Sequence, residues 1–261
     1  MLRLLLLLPS LSLLFSGPLL ADVAAQKGLT IAQEADRQDS GWKDQTTSME
    51  MVLRNRQGDT SIRQVRTKTL EVQGDGDKSL SIFDSPPDVK GTAFLSFSHA
   101  IEPDDQWLFL PALKRVKRIA SRNKSGPFMG SEFAYEDLSS QEVEKYTYRW
   151  LREESHEGRP VDVIERIPAY EYSGYTRQLV WMDKEMLQAL KIEYYDRKNT
   201  LLKTLTQHEF KQYLGKYWRT SRMEMKNHQT GKSTTLHWSD YRFDNGLSDR
   251  DFNKNSLKRA R

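Results

Sequence analysis

No cysteine occurs in the chain. That absence excludes disulfide scaffolds, thiolate zinc sites, thiol nucleophiles and iron–sulfur clusters. It also excludes an N-terminal lipid anchor, which needs a cysteine to carry it. Catalytic spacings are missing as well. His99, His156, His208, His228 and His237 include no i, i+4 pair and no His-x-His, so no metal is expected. There is no Gly-x-Ser-x-Gly turn to present a nucleophile. Gly74-Asp75-Gly76-Asp77 sets two acids where a phosphate would have to sit. No enzymatic activity and no cofactor are expected. Charge of one sign is also scarce: 40 basic against 36 acidic side chains leave a formal +4, too mild and dispersed to argue for nucleic acid.

Long apolar runs are confined to the start. Arg3 supplies a positive n-region, Leu4 to Phe15 an apolar stretch broken by Pro9, and Gly17-Pro18 a break before Ala21. Residues 1–21 read as a signal peptide cleaved after Ala21. The stretch is shorter than the roughly 20 residues of a membrane span, and no later run approaches that length. The expectation is an unlipidated periplasmic protein, with residues 22–261 as one domain and no transmembrane segment after cleavage.

Beyond that point the texture is β. A short helix is expected from Gly28 to Asp39, with Thr30 as its cap. From Trp42 onward apolar residues alternate: Met49, Met51 and Leu53 interleave with Glu50, Val52 and Arg54, and Gln57-Gly58-Asp59 turns the chain into a return strand. Strand patterns recur to Phe243, about a dozen in all, punctuated by Pro86-Pro87, Glu157-Gly158 and Asp244-Asn245-Gly246. Crossover helices are missing, so the fold class is mainly β: one large, strongly curved antiparallel sheet or half-open barrel with a few short helices. The interruption between Asn123 and Gln141 holds Phe128 to Tyr135, which reads as a short apolar helix able to act as plug or lid.

Two clusters stand out. Trp107 and Phe109, with Phe128, Met129, Phe133 and Tyr135, are candidates for an apolar cavity or its lid. Such aromatics fit either a filled core or a pocket for a lipid tail. Lys114, Arg115, Lys117 and Arg118 crowd onto one strand. Arg115 and Lys117 would share a face with Ile119, which is costly away from a wet rim. They fit either contact with an anionic headgroup or partner, or an edge strand protected by charge with Glu132, Glu136 and Asp137 beside it.

The block from Gln106 to Ile119, followed by Asn123 to Phe133, resembles the signature of the outer membrane lipoprotein-sorting protein family of LolA-like exported proteins. Supporting segments lie at Ser173-Gly174-Tyr175, Tyr195-Asp196, Leu202-Lys203-Thr204 and Ser233-Thr234-Thr235. The resemblance implies a half-open sheet wrapped around helices, with a concave apolar face that accepts lipid or lipoprotein acyl chains. It also implies work beside inner-membrane exporters of the resistance–nodulation–division type. A non-catalytic adaptor of such an exporter, without cargo, is the alternative. The lack of cysteine agrees with a diffusible carrier rather than a tethered acceptor.

Overall fold

The computed structural model describes residues 17–259; the expected n-region and apolar core of the signal peptide lie outside the described residues. Helix α1 spans Gly17–Asp39, starting well before the expected Gly28. Thr30 is therefore not a cap. It lies inside the helix and donates its hydroxyl to the Gln26 carbonyl at 2.9 Å, a bond open to a mid-helix threonine. The Ala-rich stretch before it carries good helix formers, which extend the helix backward.

Thirteen strands follow: β1 Asp44–Arg54, β2 Thr60–Leu70, β3 Lys78–Ser85, β4 Ala93–Phe97, β5 Asp105–Leu110, β6 Arg115–Ile119, β7 Tyr146–His156, β8 Arg159–Pro168, β9 Arg177–Asp183, β10 Ala189–Tyr195, β11 Leu201–Tyr213, β12 Tyr217–Asn227 and β13 Ser233–Phe243. They form one open sheet in the order β6-β5-β4-β3-β2-β1-β13-β12-β11-β10-β9-β8-β7, antiparallel throughout. The chain thus meanders from β1 out to one edge at β6 and re-enters at the opposite edge, β7. It then meanders back until β13 pairs with β1. The connection 120–145 must cross a face of the sheet to join those two edges.

Strands lie roughly 4.8 Å apart, so a flat sheet of this size would be about 58 Å wide. Yet the crossing segment touches strands far apart in the order. Phe128 meets Phe83 of β3 and Phe94 of β4, and Asp137 meets Lys203 of β11. The sheet is therefore curled round its own connection, as its right-handed twist favours. Alternation explains the inner face: Met49 and Met51 of β1 stand opposite Trp238 and Leu236 of β13, all turned toward the segment. Outward-facing apolar residues are covered elsewhere. Leu80, Ile82, Leu95 and Phe109 pack beneath Phe252 and Leu257 of the C-terminal segment. That segment is clamped by the buried Asp44, whose carboxylate accepts the backbone N–H groups of Asn245, Gly246 and Leu247.

The crossing segment is not the single short helix expected over Phe128 to Tyr135. Two 3-10 turns, Phe128–Gly130 and Tyr135–Leu138, stand apart, and between them the chain doubles back so that Ala134 bridges Pro127 ahead of the first turn. Met129 and Gly130 both have positive φ, +49° and +77°, and two left-handed residues in a row end a helix at once. Lys114 also departs from its expected strand. It closes the Pro111–Leu113 turn at φ +48°, and β6 begins only at Arg115.

Candidate functional site

The crossing segment is held by buried polar groups. Lys203 and Asp137, each about 4% exposed, form an ion pair at 2.6 Å, and Lys203 also donates to the Glu132 carbonyl. Tyr175 donates its hydroxyl to the same Asp137 carboxylate at 2.8 Å. Glu132 accepts from the Asn227 side chain, and its backbone N–H donates to Thr234. Arg63 donates to the Met129 carbonyl. Glu136 accepts from Tyr170, Ser173 and the Gly174 N–H, and burial raises its pKa, with Asp137 adding repulsion. Gly174 has no room for a side chain, since a Cβ there would lie 2.9 Å from both Glu136 Oε1 and Ser125 Cβ. Broken buried pairs cost several kcal/mol, so this segment is a fixed plug over half of the inner face.

The other half is not filled. Between α1 and the inner face of β7 to β11 lies a cavity of about 600 Å³. That size falls within the roughly 300–1,000 Å³ of small-ligand pockets. Ile164, Val180, Met182 and Ile192 give its floor an apolar patch, with Arg166, Gln188 and Gln207 beside it; Ala32 and Ala35 of α1 roof it. Close packing of α1 on the edge strand sets the roof height. A Cβ on Gly28 would sit 2.8 Å from the Trp150 backbone nitrogen, so the helix lies against β7 with nothing between. Lys27 then stacks 3.6 Å above the Trp150 ring.

The mouth of the cavity is acidic. Asp36 and Asp39 of α1, Glu71, Asp75 and Asp77 of the β2–β3 turn, and Glu142 and Glu144 of the crossing segment converge there. Burial pushes the Asp77 carboxyl up to about 7 against the Val72 N–H it accepts, and Glu142, Glu71 and Asp39 add repulsion. Burial also raises Asp36, with help from Glu144 and Glu71, and raises Asp39 despite its 2.6 Å bond from Arg219. Among the described residues, no cluster of His, Asp and Glu has the geometry of a metal site. No described helix is long and apolar enough to cross a membrane.

A domain from Vibrio parahaemolyticus, provisionally designated an outer membrane lipoprotein-sorting protein, is 62% identical and superposes with a TM-score of 0.88, over 90% of this chain and 99% of that one. The chain belongs to this outer membrane lipoprotein-sorting protein family. A DUF1329 family protein from Desulfovibrio piger is 31% identical, with a TM-score of 0.85 over 90% of this chain and 99% of that one. A LolA superfamily protein from Nitrosomonas europaea shares the fold at 21% identity and a TM-score of 0.70, over 89% and 98% of the two chains. A family model described as an uncharacterized protein matches residues 75–259. No curated protein matches.

Within this LolA-like frame the expected site residues separate. Phe128, Phe133, Met129 and Tyr135 come together on the inner face, in the plug and away from the cavity under α1, though Phe133 also lines a second, more open pocket of about 620 Å³ with Leu202 and Lys203. Trp107 and Phe109 point the other way. Trp107 meets Phe97 edge-on and Phe109 packs under the C-terminal segment, because alternation along β5 gives the inner face to Gln106 and Leu108 instead. Arg115, Lys117 and Arg118 lie on the exposed edge strand β6 with Lys114 just before it. Glu132, Glu136 and Asp137 do not neighbour these cations but bind inside the plug; among the described residues Arg118 alone of the four is paired, with Asp105 at 2.5 Å. Sequence reasoning missed α1 as the roof and the seven acids at the mouth. The acids beside the turn at Gly74-Asp75-Gly76 and those at Glu142 and Glu144 were visible, but nothing local says that a distant helix joins them.

Proposed function

We propose that the protein is a periplasmic carrier that binds lipid or lipoprotein acyl chains beneath α1 and catalyses no reaction. The observation that supports this reading is the cavity of about 600 Å³, with an apolar patch of Ile164, Val180, Met182 and Ile192 on its floor, under α1 of a lipoprotein-sorting fold. Each buried methylene contributes about 0.8 kcal/mol, so one acyl chain gains on the order of 10 kcal/mol on entering. Release then needs a roof that lifts. The plug, pinned by Lys203–Asp137, is the fixed wall, and Phe128, Met129, Phe133 and Tyr135 stiffen it. Helix α1 is the moving part. Lys114, Arg115, Lys117 and Arg118 contact an anionic headgroup or a partner during transfer.

Native mass spectrometry of the mature protein recovered from periplasm without detergent tests the reading, with lipid extraction alongside. The expected result is a discrete added mass that extracts as lipid and is lost in Ala35→Trp, which fills the cavity from its roof. A clean mass, with no uptake of added fatty acid or phospholipid, would overturn it in favour of an adaptor of a resistance–nodulation–division exporter.

A further inference from the structure

The open sheet ends in two edges that differ. β7 has α1 packed directly on its backbone at Arg149 and Trp150. β6 pairs with β5 alone, and among the described residues no hydrogen bond reaches the backbone of Arg115–Ile119 from its free side. A free edge is a row of unpaired donors and acceptors that can template another strand.

Charge selects what can pair there. From Gln106 to Ser131 the chain carries Lys114, Arg115, Lys117, Arg118, Arg122 and Lys124 and no acid. Register puts Arg115 and Lys117 opposite Leu110 and Leu108, on the inner-face side, and Arg118 opposite Trp107, on the outer side. Cations therefore stand on both faces of the same edge. Arg115 and Lys117 are exposed and have no acidic partner among the described residues. A second copy joined through the same edge would set cations against cations, which destabilises a strand pair. A flat anionic surface would meet only one of the two faces. An extended chain bearing carboxylates meets both, and the backbone edge as well.

We infer that β6 is the docking edge for an extended acidic segment of a partner protein, which joins the sheet as a further strand with carboxylates against Arg115 and Lys117. This rests on the reading of β6 as a contact surface and not on acyl cargo. Partner recognition is then separate in space from the cavity, whose mouth is acidic and would repel the same segment.

The test uses the mature full chain and a labelled peptide that alternates Glu and Val. A second peptide has the same side chains, with alternate backbone nitrogens methylated to remove its donors. Vesicles of phosphatidylglycerol serve as the lipid probe. Fluorescence anisotropy is expected to show saturable binding of the first peptide and about tenfold weaker binding of the methylated one. Amide exchange should slow at Arg115–Ile119. Arg115→Glu with Lys117→Glu should weaken binding by about tenfold or more, while Lys211→Glu on the distant β11 leaves it unchanged. No saturable binding would mean that the charges only protect the edge, and equal binding of the methylated peptide would mean charge attraction without strand addition. Either result overturns the inference. Vesicle binding through Arg115 and Lys117 without peptide binding would also overturn it, while keeping β6 as a lipid-facing surface.

Discussion

Asp77 shows how a single side chain ties the cavity to pH. Its carboxyl, pushed up to about 7 in the fold from an ordinary 3.8, holds a proton in the native state where the unfolded chain has already lost it. The stability this contributes is fully present below the unfolded value and is lost as pH rises through about 7. Asp77→Asn, which keeps the acceptor for the Val72 N–H, should therefore be more stable than the parent at pH 8 by ~1 kcal/mol or more. Near pH 4 it should differ little. Urea unfolding at the two pH values checks this; a deficit at pH 8 would contradict it. The Lys203–Asp137 pair behaves oppositely. Asp137→Ala strands a buried ammonium and should cost about 3–5 kcal/mol by the same measurement. None of this was legible in the sequence. Lys203 and Asp137 are 66 residues apart and sit in unremarkable local patterns.

Elements were far more legible than their partnerships. Period-2 alternation in Met49 to Arg54 marked β1 because one face of an antiparallel strand is buried and the other is wet. The same rule assigned Arg115 and Lys117 to the Ile119 side, where exposure at a sheet edge relieves the cost of burying charge. Alternation alone does not say which side is concave, so the sequence groups Trp107 and Phe109 with Phe128 although they face away from it. Nor could it show that Met129 and Gly130 would turn left-handed and split the expected helix. At this scale Gly28 is decisive, because it lets α1 touch the backbone of β7. Gly28→Ala should push the helix outward, costing about 1–3 kcal/mol. Hydrogen exchange should then quicken across residues 22–39 while β8 to β13 keep their protection. Uniform acceleration of the whole sheet would contradict the role of α1 as a separate roof.

Across the whole molecule, topology decides the site. A chain that runs out to one edge and restarts at the other must lay its connection across the sheet, and that connection fills half of the inner face. The remaining half lies under α1 and is the cavity. Charge divides the same way, with carboxylates at the cavity mouth and free cations at the β6 edge, although the net charge of +4 conceals it. A family resemblance in the sequence foresaw the curved sheet and an apolar concave face. It did not foresee which half of that face stays open.

The most direct measurement is photocrosslinking with a fatty acid that carries a diazirine along its chain, followed by peptide mapping of the mature protein. The account predicts adducts on the cavity floor and roof, at Ile164, Met182, Ile192 or Ala35, and their loss in Ala35→Trp. Adducts confined to the outer cluster around Phe109 and Leu257, or unchanged by Ala35→Trp, would contradict it.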